Sequence, residues 1–372
     1  MKVDIITRHG TSNYGSLLQT YATQIVLKNL NCDSEIIDYI KYEERGKNKA
    51  NTFLKRSKTW NRNIFTRLIY KLLQTPNHLI MYNKFKKFRT ALLKMTREYG
   101  SFKELKESCP NADIYCTGSD QVWGKIGNDE FDKAYFLDFV PKNKKCISYS
   151  ASFGNEDICD DLKKELQGLL DKYDNLMVRE ESAVKIIEKY AEKSAKLVLD
   201  PTLLLTTEQW KNMTTNIKEK RKYILVYQLH DNKEFDRYAK KIAKYKNLKL
   251  VRISPSIHNI FKSGKLKWLP TPEEFLTYFA NAEYILTDSF HATVFSLIFN
   301  KKFINILPDT TGTRIINILE IVGLKDRILN DFEDFKTIDK YIDFEKINKI
   351  IELKRVESIN MLKNALNYKK ED

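Results

Sequence analysis

The sequence is poor in everything that would tie a fold together covalently or through a metal. Its five cysteines (Cys32, Cys109, Cys116, Cys146, Cys159) are odd in number and include no CxxC pair. Several stand in apolar, strand-like runs, so they read as reduced core thiols of a cytosolic protein; neither a disulfide frame nor a zinc site is expected. No uninterrupted apolar run approaches the ~20 residues of a membrane span. The best candidate, Ile64 to Tyr82, is broken by Arg67, Lys71 and Pro76. The chain enters a strand directly at Met1-Lys2-Val3-Asp4-Ile5-Ile6, so no signal peptide is expected. G-x-G-x-x-G is missing, which leaves a dinucleotide cofactor poorly supported. No Cys–His or Ser–His–Asp arrangement and no metal-ligand spacing can be read out. Short-period repeats and low-complexity tracts are absent as well.

What the chain does have is length, apolar content and unevenly placed charge. Its 372 residues, 42% of them hydrophobic, predict two domains, each with its own core. The net charge is +15, and between Lys41 and Glu104 alone 17 Lys or Arg stand against four acids. Nearly all the excess therefore lies in one segment, where Phe53, Leu54, Trp60, Ile64, Phe65, Leu68, Ile69 and Leu72 are interleaved with the cations. A basic, helical, partly apolar stretch suits an anionic membrane surface or polyanionic lipid-linked material. Nucleic acid competes for the same charge, and a solvated excursion explains it without any partner.

The first two-thirds alternate strand-like and helix-like segments, which predicts an α/β fold with mostly parallel sheets and helices on both faces. Strands are expected at Val3–Thr7, Glu35–Tyr39, Asp113–Thr117, Cys146–Ser150, Asn175–Val178 and Leu197–Leu199, with a helix from about Leu17 to Leu30. Asp200-Pro201-Thr202 stops the pattern, because proline cannot continue a ladder. A second set follows at Tyr223–Tyr227, Leu248–Ile253, Tyr284–Thr287 and Phe303–Ile306. The expected division is residues 1–205, carrying the basic excursion at about 41–104, then 206–343. A C-terminal helix over 344–372 then packs back across the domains.

Loops after strand ends hold the ligands of such folds. After the first strand stand His9, Gly10, Asn13, Tyr14, Gly15 and Ser16. Gly118-Ser119-Asp120-Gln121-Val122-Trp123 combines acid, amide and indole, a set suited to sugar hydroxyls. Arg179 stands at a helix mouth, where a guanidinium binds carboxylate or phosphate bidentately; alone, an ion pair with Glu180 or Glu181 accounts for it. Gln228 and His230 follow the Tyr223 strand, and Thr310-Thr311-Gly312-Thr313-Arg314 follows the Phe303 strand, so Arg314 is expected to reach the cleft. His78 and His258 fall outside this pattern and are expected at the surface. The sharpest segment is Tyr284 to Phe299: a buried strand, the polar turn Thr287-Asp288-Ser289, then an apolar helix with His291 in its first turn. Asp288 or Ser289 would cap that helix, whose unpaired N–H groups favour an anion. A capped core helix with an incidental histidine fits the local spacing equally well.

Taken in order, these words resemble the polysaccharide pyruvyl transferases: Asn13-Tyr14-Gly15 with Leu18-Gln19, Gly118 to Trp123, Ser148 to Gly154, Val178 to Ser182, Asp200-Pro201-Thr202, and Ser289-Phe290-His291-Ala292. The resemblance excludes the Lys41–Lys103 excursion and the terminal helix. It implies two Rossmann-like domains facing a cleft, as in B-type glycosyltransferases, with phosphoenolpyruvate as co-substrate and no resident cofactor. The implied product is a pyruvate ketal on a sugar of capsule or exopolysaccharide, or of its lipid-linked precursor, with release of phosphate. His291 would be catalytic; Arg179, Ser289, Arg314 and Asp288 would bind the donor. His9, Asn13, Tyr14, Gly15, Asp120 and Gln121 would hold the acceptor. The family's Arg-Leu-His triplet has Ser289 in its arginine position here, so either Arg314 supplies that charge or the donor differs. A glycosyltransferase of the same fold, using a nucleotide sugar, is the alternative. The enzyme is expected in the cytoplasm, at the inner membrane face, without a nucleic-acid partner.

Overall fold

Parallel strands are buried on both faces, so helices must cover both sides of the sheet they form. The computed structural model describes residues 1–367 except 58, 125–129, 156, 159–161, 218, 220 and 309–311, with the backbone alone at 47 and 56. Cys159, Thr310, Thr311 and Tyr368 lie outside the described residues. The first half runs β1 (Lys2–Ile6), α1 (Tyr14–Asn29), β2 (Asp33–Tyr39), α2 (Gly46–Arg56), α3 (Ile64–Leu92), β3 (Met95–Tyr99), α4 (Phe102–Glu107), β4 (Ile114–Thr117) and β5 (Lys145–Ser148). Then come α5 (Lys163–Leu170), β6 (Met177–Val178), α6 (Glu181–Ala191), β7 (Lys196–Leu197), α7 (Pro201–Leu204) and α8 (Thr207–Lys211). The second half runs β8 (Tyr223–Tyr227), α9 (Lys233–Tyr245), β9 (Lys249–Ser254), β10 (Lys265–Trp268), α10 (Pro272–Asn281), β11 (Tyr284–Thr287), α11 (Phe290–Ile298), β12 (Lys302–Asn305) and α12 (Thr313–Ile321). A long helix, α13 (Phe344–Asn367), follows.

These strands build two parallel five-stranded sheets, ordered β3-β2-β1-β4-β5 and β10-β9-β8-β11-β12. The short β6–β7 pair continues the first sheet through bridges from Ile147 to Asn175 and from Ala151 to Val178. Strand order reverses between β1 and β4, and again between β8 and β11. A doubly wound sheet opens its crevice at such reversals, at the carboxyl ends of the strands. The two Rossmann-like domains turn these crevices toward one cleft.

Packing fixes how the domains meet. One apolar cluster passes through both, taking in Leu17 of α1, Leu203 of α7, Trp210 of α8, Phe275 of α10 and Phe295 of α11. Tyr14 stacks on Phe275 at 4.6 Å, and its hydroxyl donates to the Pro270 carbonyl at 2.5 Å. Helix α13 packs back onto the first domain. Arg355 Nε donates to the Leu203 carbonyl at 2.8 Å, and the Leu199 N–H donates to Ser358 Oγ at 3.0 Å.

The basic segment differs from an excursion in one respect. Its end, β3, is the outer strand of the first sheet, and α2 and α3 are the crossover that leads to it. Pro76 lies inside the 29-residue α3. A proline there forgoes one helical bond, costing about 3 kcal/mol, which the burial of Tyr70 and Phe85 offsets. Charge counting could not find β3, because Met95-Thr96-Arg97-Glu98-Tyr99 is only half-buried at a sheet edge. Nor are His78 and His258 surface residues. Both are half-buried where α3 meets residues 257–261, with His78 stacked on Phe53 at 5.6 Å.

On the central strand β1, both carboxylate oxygens of Asp4 are buried without a hydrogen-bond partner. Burial pushes the Asp4 carboxyl up to about 6, with Lys2 pulling the other way. A folded-state value above the unfolded one favours folding at low pH, and that contribution is lost as pH rises through about 6. Asp4→Asn is therefore expected to be more stable than the parent above pH ~6 by about 1–2 kcal/mol, with the gap closing below pH ~4. Urea unfolding at several pH values measures this, and a pH-independent difference would contradict it.

Candidate active site

Two helix starts meet at the floor of the cleft. Helix α1 begins where β1 ends, and Asn13 caps it by accepting the Gly15 N–H at 2.8 Å. Helix α11 begins where β11 ends, capped by Ser289 Oγ, which accepts the Ala292 N–H at 3.5 Å. Between the two alternatives for that cap, the structure selects serine. A Cβ placed on Gly15 would come within 2.2 Å of His291 Nδ1, so only glycine lets the imidazole of one domain press on the helix of the other. His291 is buried here, 5% exposed. Its Nε2 has no hydrogen-bond partner.

Beside it lies Asp200, which caps α7 just past the last strand of the first sheet. Its carboxylate accepts from Arg179 Nη1 at 3.0 Å, Ser119 Oγ at 2.8 Å, and the Thr202 N–H and hydroxyl at 3.0 and 2.6 Å. His291 Nε2 stands 3.7 Å from the same carboxylate. Burial alone would raise the Asp200 carboxyl, but His291, Arg179 and Thr202 hold it far below the usual carboxylate range. It is therefore a fixed negative charge shared by both domains.

Arg179 is caged by acids: Asp200 at 3.0 Å, Glu180 at 3.8 Å and Asp120 at 3.9 Å. Its guanidinium lies over the Phe290 ring at 4.6 Å, and Arg314 meets the same ring at 5.8 Å. Arg179 Nε and Nη2 and Arg314 Nε are buried without acceptors. Burial lowers the Arg314 pKa to about 10, with repulsion from Arg179 adding to it and Asp120, Glu180 and Asp200 opposing. Unpaired buried donors on this scale are costly unless an anion answers them.

A cavity of about 260 Å³ opens over this floor. From the first domain Asn13, Ser16, Asp120 and Gln121 line it, and from the second Asp288, Ser289, Phe290, His291 and Arg314. Asp120 has a φ of 87°, a strained backbone for a non-glycine residue. Its carboxylate accepts from the Ser16 hydroxyl and from the Gln121 N–H at 2.8 Å. Burial would raise it, yet Arg179, His291 and Arg314 keep it lowered and ionised.

Several candidates stand elsewhere than sequence order predicts. His9 does not reach the cavity: it is fully buried, with Nε2 2.9 Å from Asp38 and Nδ1 3.1 Å from the Thr7 carbonyl. Tyr14 is likewise fully buried and works as interdomain packing. Arg179 stands one layer behind the wall, screened by Phe290. Asp288 is on the wall, but its carboxylate already accepts the Leu229 and His230 N–H groups at 2.7 and 2.8 Å. Three residues were given no site role by the sequence reading: Asp200 and Phe290, which it held as words of the resemblance, and Arg8, which also lines the cavity. For Asp200 the signal was present, since an acid before a helix-starting proline was weighed as a stop and not as a counter-ion.

If the Gly15–His291 contact sets the geometry, a single methyl disturbs it. Gly15→Ala is expected to lower turnover about a hundredfold with unchanged circular dichroism; parental activity would show that the two helix starts need not touch.

The profile of the polysaccharide pyruvyl transferase family matches residues 13–310. No curated protein matches the sequence. Among solved structures, the chain is similar to S. aureus MnaA in complex with UDP, at a TM-score of 0.55 and 12% identity over 100% of this chain and 98% of that one. It is also similar to UDP-N-acetylglucosamine 2-epimerase from Rickettsia bellii, at a TM-score of 0.52 and 13% identity over 99% and 98%. At these identities the likeness is one of fold, the two-domain GT-B arrangement. With a family profile spanning most of its length, the chain belongs to the polysaccharide pyruvyl transferases and is a transferase enzyme.

Proposed function

We propose that this enzyme moves the pyruvyl group of phosphoenolpyruvate onto two hydroxyls of one sugar, forming a cyclic ketal and releasing phosphate. One observation carries the reading: the unanswered buried donors of Arg314 and His291 on the wall of a cavity sized for a small anion. Phosphoenolpyruvate brings a carboxylate and a phosphate, and Arg314, with the start of α11, takes one of them on the cavity wall. Arg314 also answers the departure at Ser289, since it supplies a cation that the family's missing arginine would have given. Arg179, behind Phe290, holds Asp200 and Asp120 in place and adds long-range positive charge.

The chemistry needs two proton transfers. A sugar hydroxyl adds to C2 of the enolpyruvate and loses its proton, while C3 gains one to become a methyl group. A second hydroxyl then attacks C2, the C2–O bond to phosphate breaks, and the second hydroxyl proton leaves with the phosphate. His291 is the residue we assign to pass these protons, with the Asp200 carboxylate 3.7 Å from its Nε2.

The acceptor we assign is a lipid-linked precursor of capsule or exopolysaccharide, at the inner face of the cytoplasmic membrane. Among the described residues no helix is long and apolar enough to cross a membrane. Helix α3 instead exposes Ile64, Phe65, Leu68, Ile69, Leu72 and Leu73, with Phe65 and Leu72 each 74% exposed. Arg62, Arg67 and Lys71 stand among them, the pattern of a helix lying in an anionic interface.

His291→Ala is expected to abolish phosphate release, a loss of about a thousandfold or more, while thermal unfolding stays near the parent's. Calorimetric titration should show phosphoenolpyruvate binding and UDP-sugars not; the reverse preference would favour the nucleotide-sugar alternative. For the membrane, Phe65→Glu with Leu72→Glu is expected to weaken sedimentation with phosphatidylglycerol vesicles about tenfold and to spare turnover of soluble acceptors. Sedimentation unchanged by both charges would remove α3 from the interface.

A further inference from the structure

A second cavity, of about 150 Å³, adjoins the first in the N-terminal domain. Arg8 and Thr11 line both, so they stand at the boundary the two share. Its far side is built from α2, by Lys49, Thr52 and Phe53, residues outside the words that carry the family resemblance. Tyr39 and Tyr135 give it an aromatic wall, and Glu43 and Glu44 border it.

Its charges are not equally available. Lys41 is paired with Asp132 at 2.8 Å. Arg8 has no ion-pair partner among the described residues; its Nε is buried without an acceptor, and its guanidinium lies over the Tyr135 ring at 5.3 Å. Lys49 faces the same space, its pKa lowered by burial and by Arg89 against the pull of Glu44. Two cations free to meet an anion, flat aromatic faces and carboxylates able to accept hydroxyl hydrogen bonds describe a seat for one sugar carrying phosphate.

We infer that this cavity seats the acceptor as a glycosyl phosphate, with its phosphate near Arg8 and Lys49 and two hydroxyls presented past Thr11 to the donor cavity. The inference rests on the pyruvyl-transfer reading for what happens next, but the seat itself is tested by binding alone. Helix α2 then selects the acceptor beside the cavity that the family residues line.

The test is calorimetric titration of the full chain with N-acetylglucosamine 1-phosphate, with N-acetylglucosamine, and with phosphoenolpyruvate. Thr52→Trp fills the cavity from its α2 side without touching the donor wall, and Thr52→Ser serves as the conservative control. Thr52→Trp is expected to weaken the glycosyl phosphate at least about tenfold, leaving phosphoenolpyruvate affinity and the melting temperature as in the parent. Arg8→Gln is expected to erase the preference for the glycosyl phosphate over the neutral sugar. Undiminished glycosyl phosphate binding in Thr52→Trp, its displacement by phosphoenolpyruvate, or no binding to the parent at all would each overturn the seat. Tighter binding of a farnesyl-diphosphate-linked N-acetylglucosamine marks a lipid-linked source; equal binding marks a soluble one. Blocked glycosyl phosphate binding in a protein that transfers no pyruvyl group keeps the seat and sinks the pyruvyl reading. Pyruvyl transfer with an unaffected acceptor KM in Thr52→Trp does the opposite.

Discussion

The Asp200 carboxylate sits at the end of one sheet and answers cations from both domains. Arg179 binds it directly, and His291 approaches it from across the cleft. Without that charge, Arg179 would keep only the longer approaches of Glu180 and Asp120, at 3.8 and 3.9 Å, and His291 would lose the carboxylate it faces. A buried cation that loses its counter-ion destabilises a protein by about 3–5 kcal/mol. The carboxylate thus has a double effect: it permits Arg179 and His291 to be buried together, and it leaves Arg314 Nε and His291 Nε2 without hydrogen-bond acceptors.

Geometry follows from two sheets with the same strand order. Each reverses beside its first strand, and the two helix starts come from opposite sides of that reversal: α1 follows β1, whereas α11 follows β11, the counterpart of β4. The shared apolar cluster, with Tyr14 stacked on Phe275, brings those starts together until Gly15 touches His291. A side chain at position 15 would hold the domains apart. The glycine is therefore an interdomain requirement, and its φ is not what demands it.

The basic segment serves three ends through one crossover. Buried Phe85 and Arg89 anchor α3 to the core, its opposite face carries exposed apolar residues among cations, and α2 walls a cavity beside the interdomain one. Charge counting located the segment and its helical character. It could not show that the segment closes a sheet with β3, because an edge strand needs only half its residues buried and its sequence is correspondingly mixed.

Much was legible in the chain itself. Apolar runs bounded by polar loops placed the Tyr223–Tyr227 and Tyr284–Thr287 strands to the residue, since fully buried strands leave no choice of side chain. The loop words placed Asp120, Gln121, Ser289, His291 and Arg314 on one cavity, because doubly wound sheets present loops of the same kind at one edge. Direction was not legible. His9 and His291 both follow a strand, yet one turns inward to Asp38 and the other lies against Gly15 and Asp200. Which way a loop side chain turns depends on partners tens or hundreds of residues away, and sequence spacing holds no record of them. The composition and order of residues determined the two sheets and the edge where chemistry gathers. Only the packing of one domain on the other decided which cation reaches the cavity, which is screened by Phe290, and which carboxylate holds them.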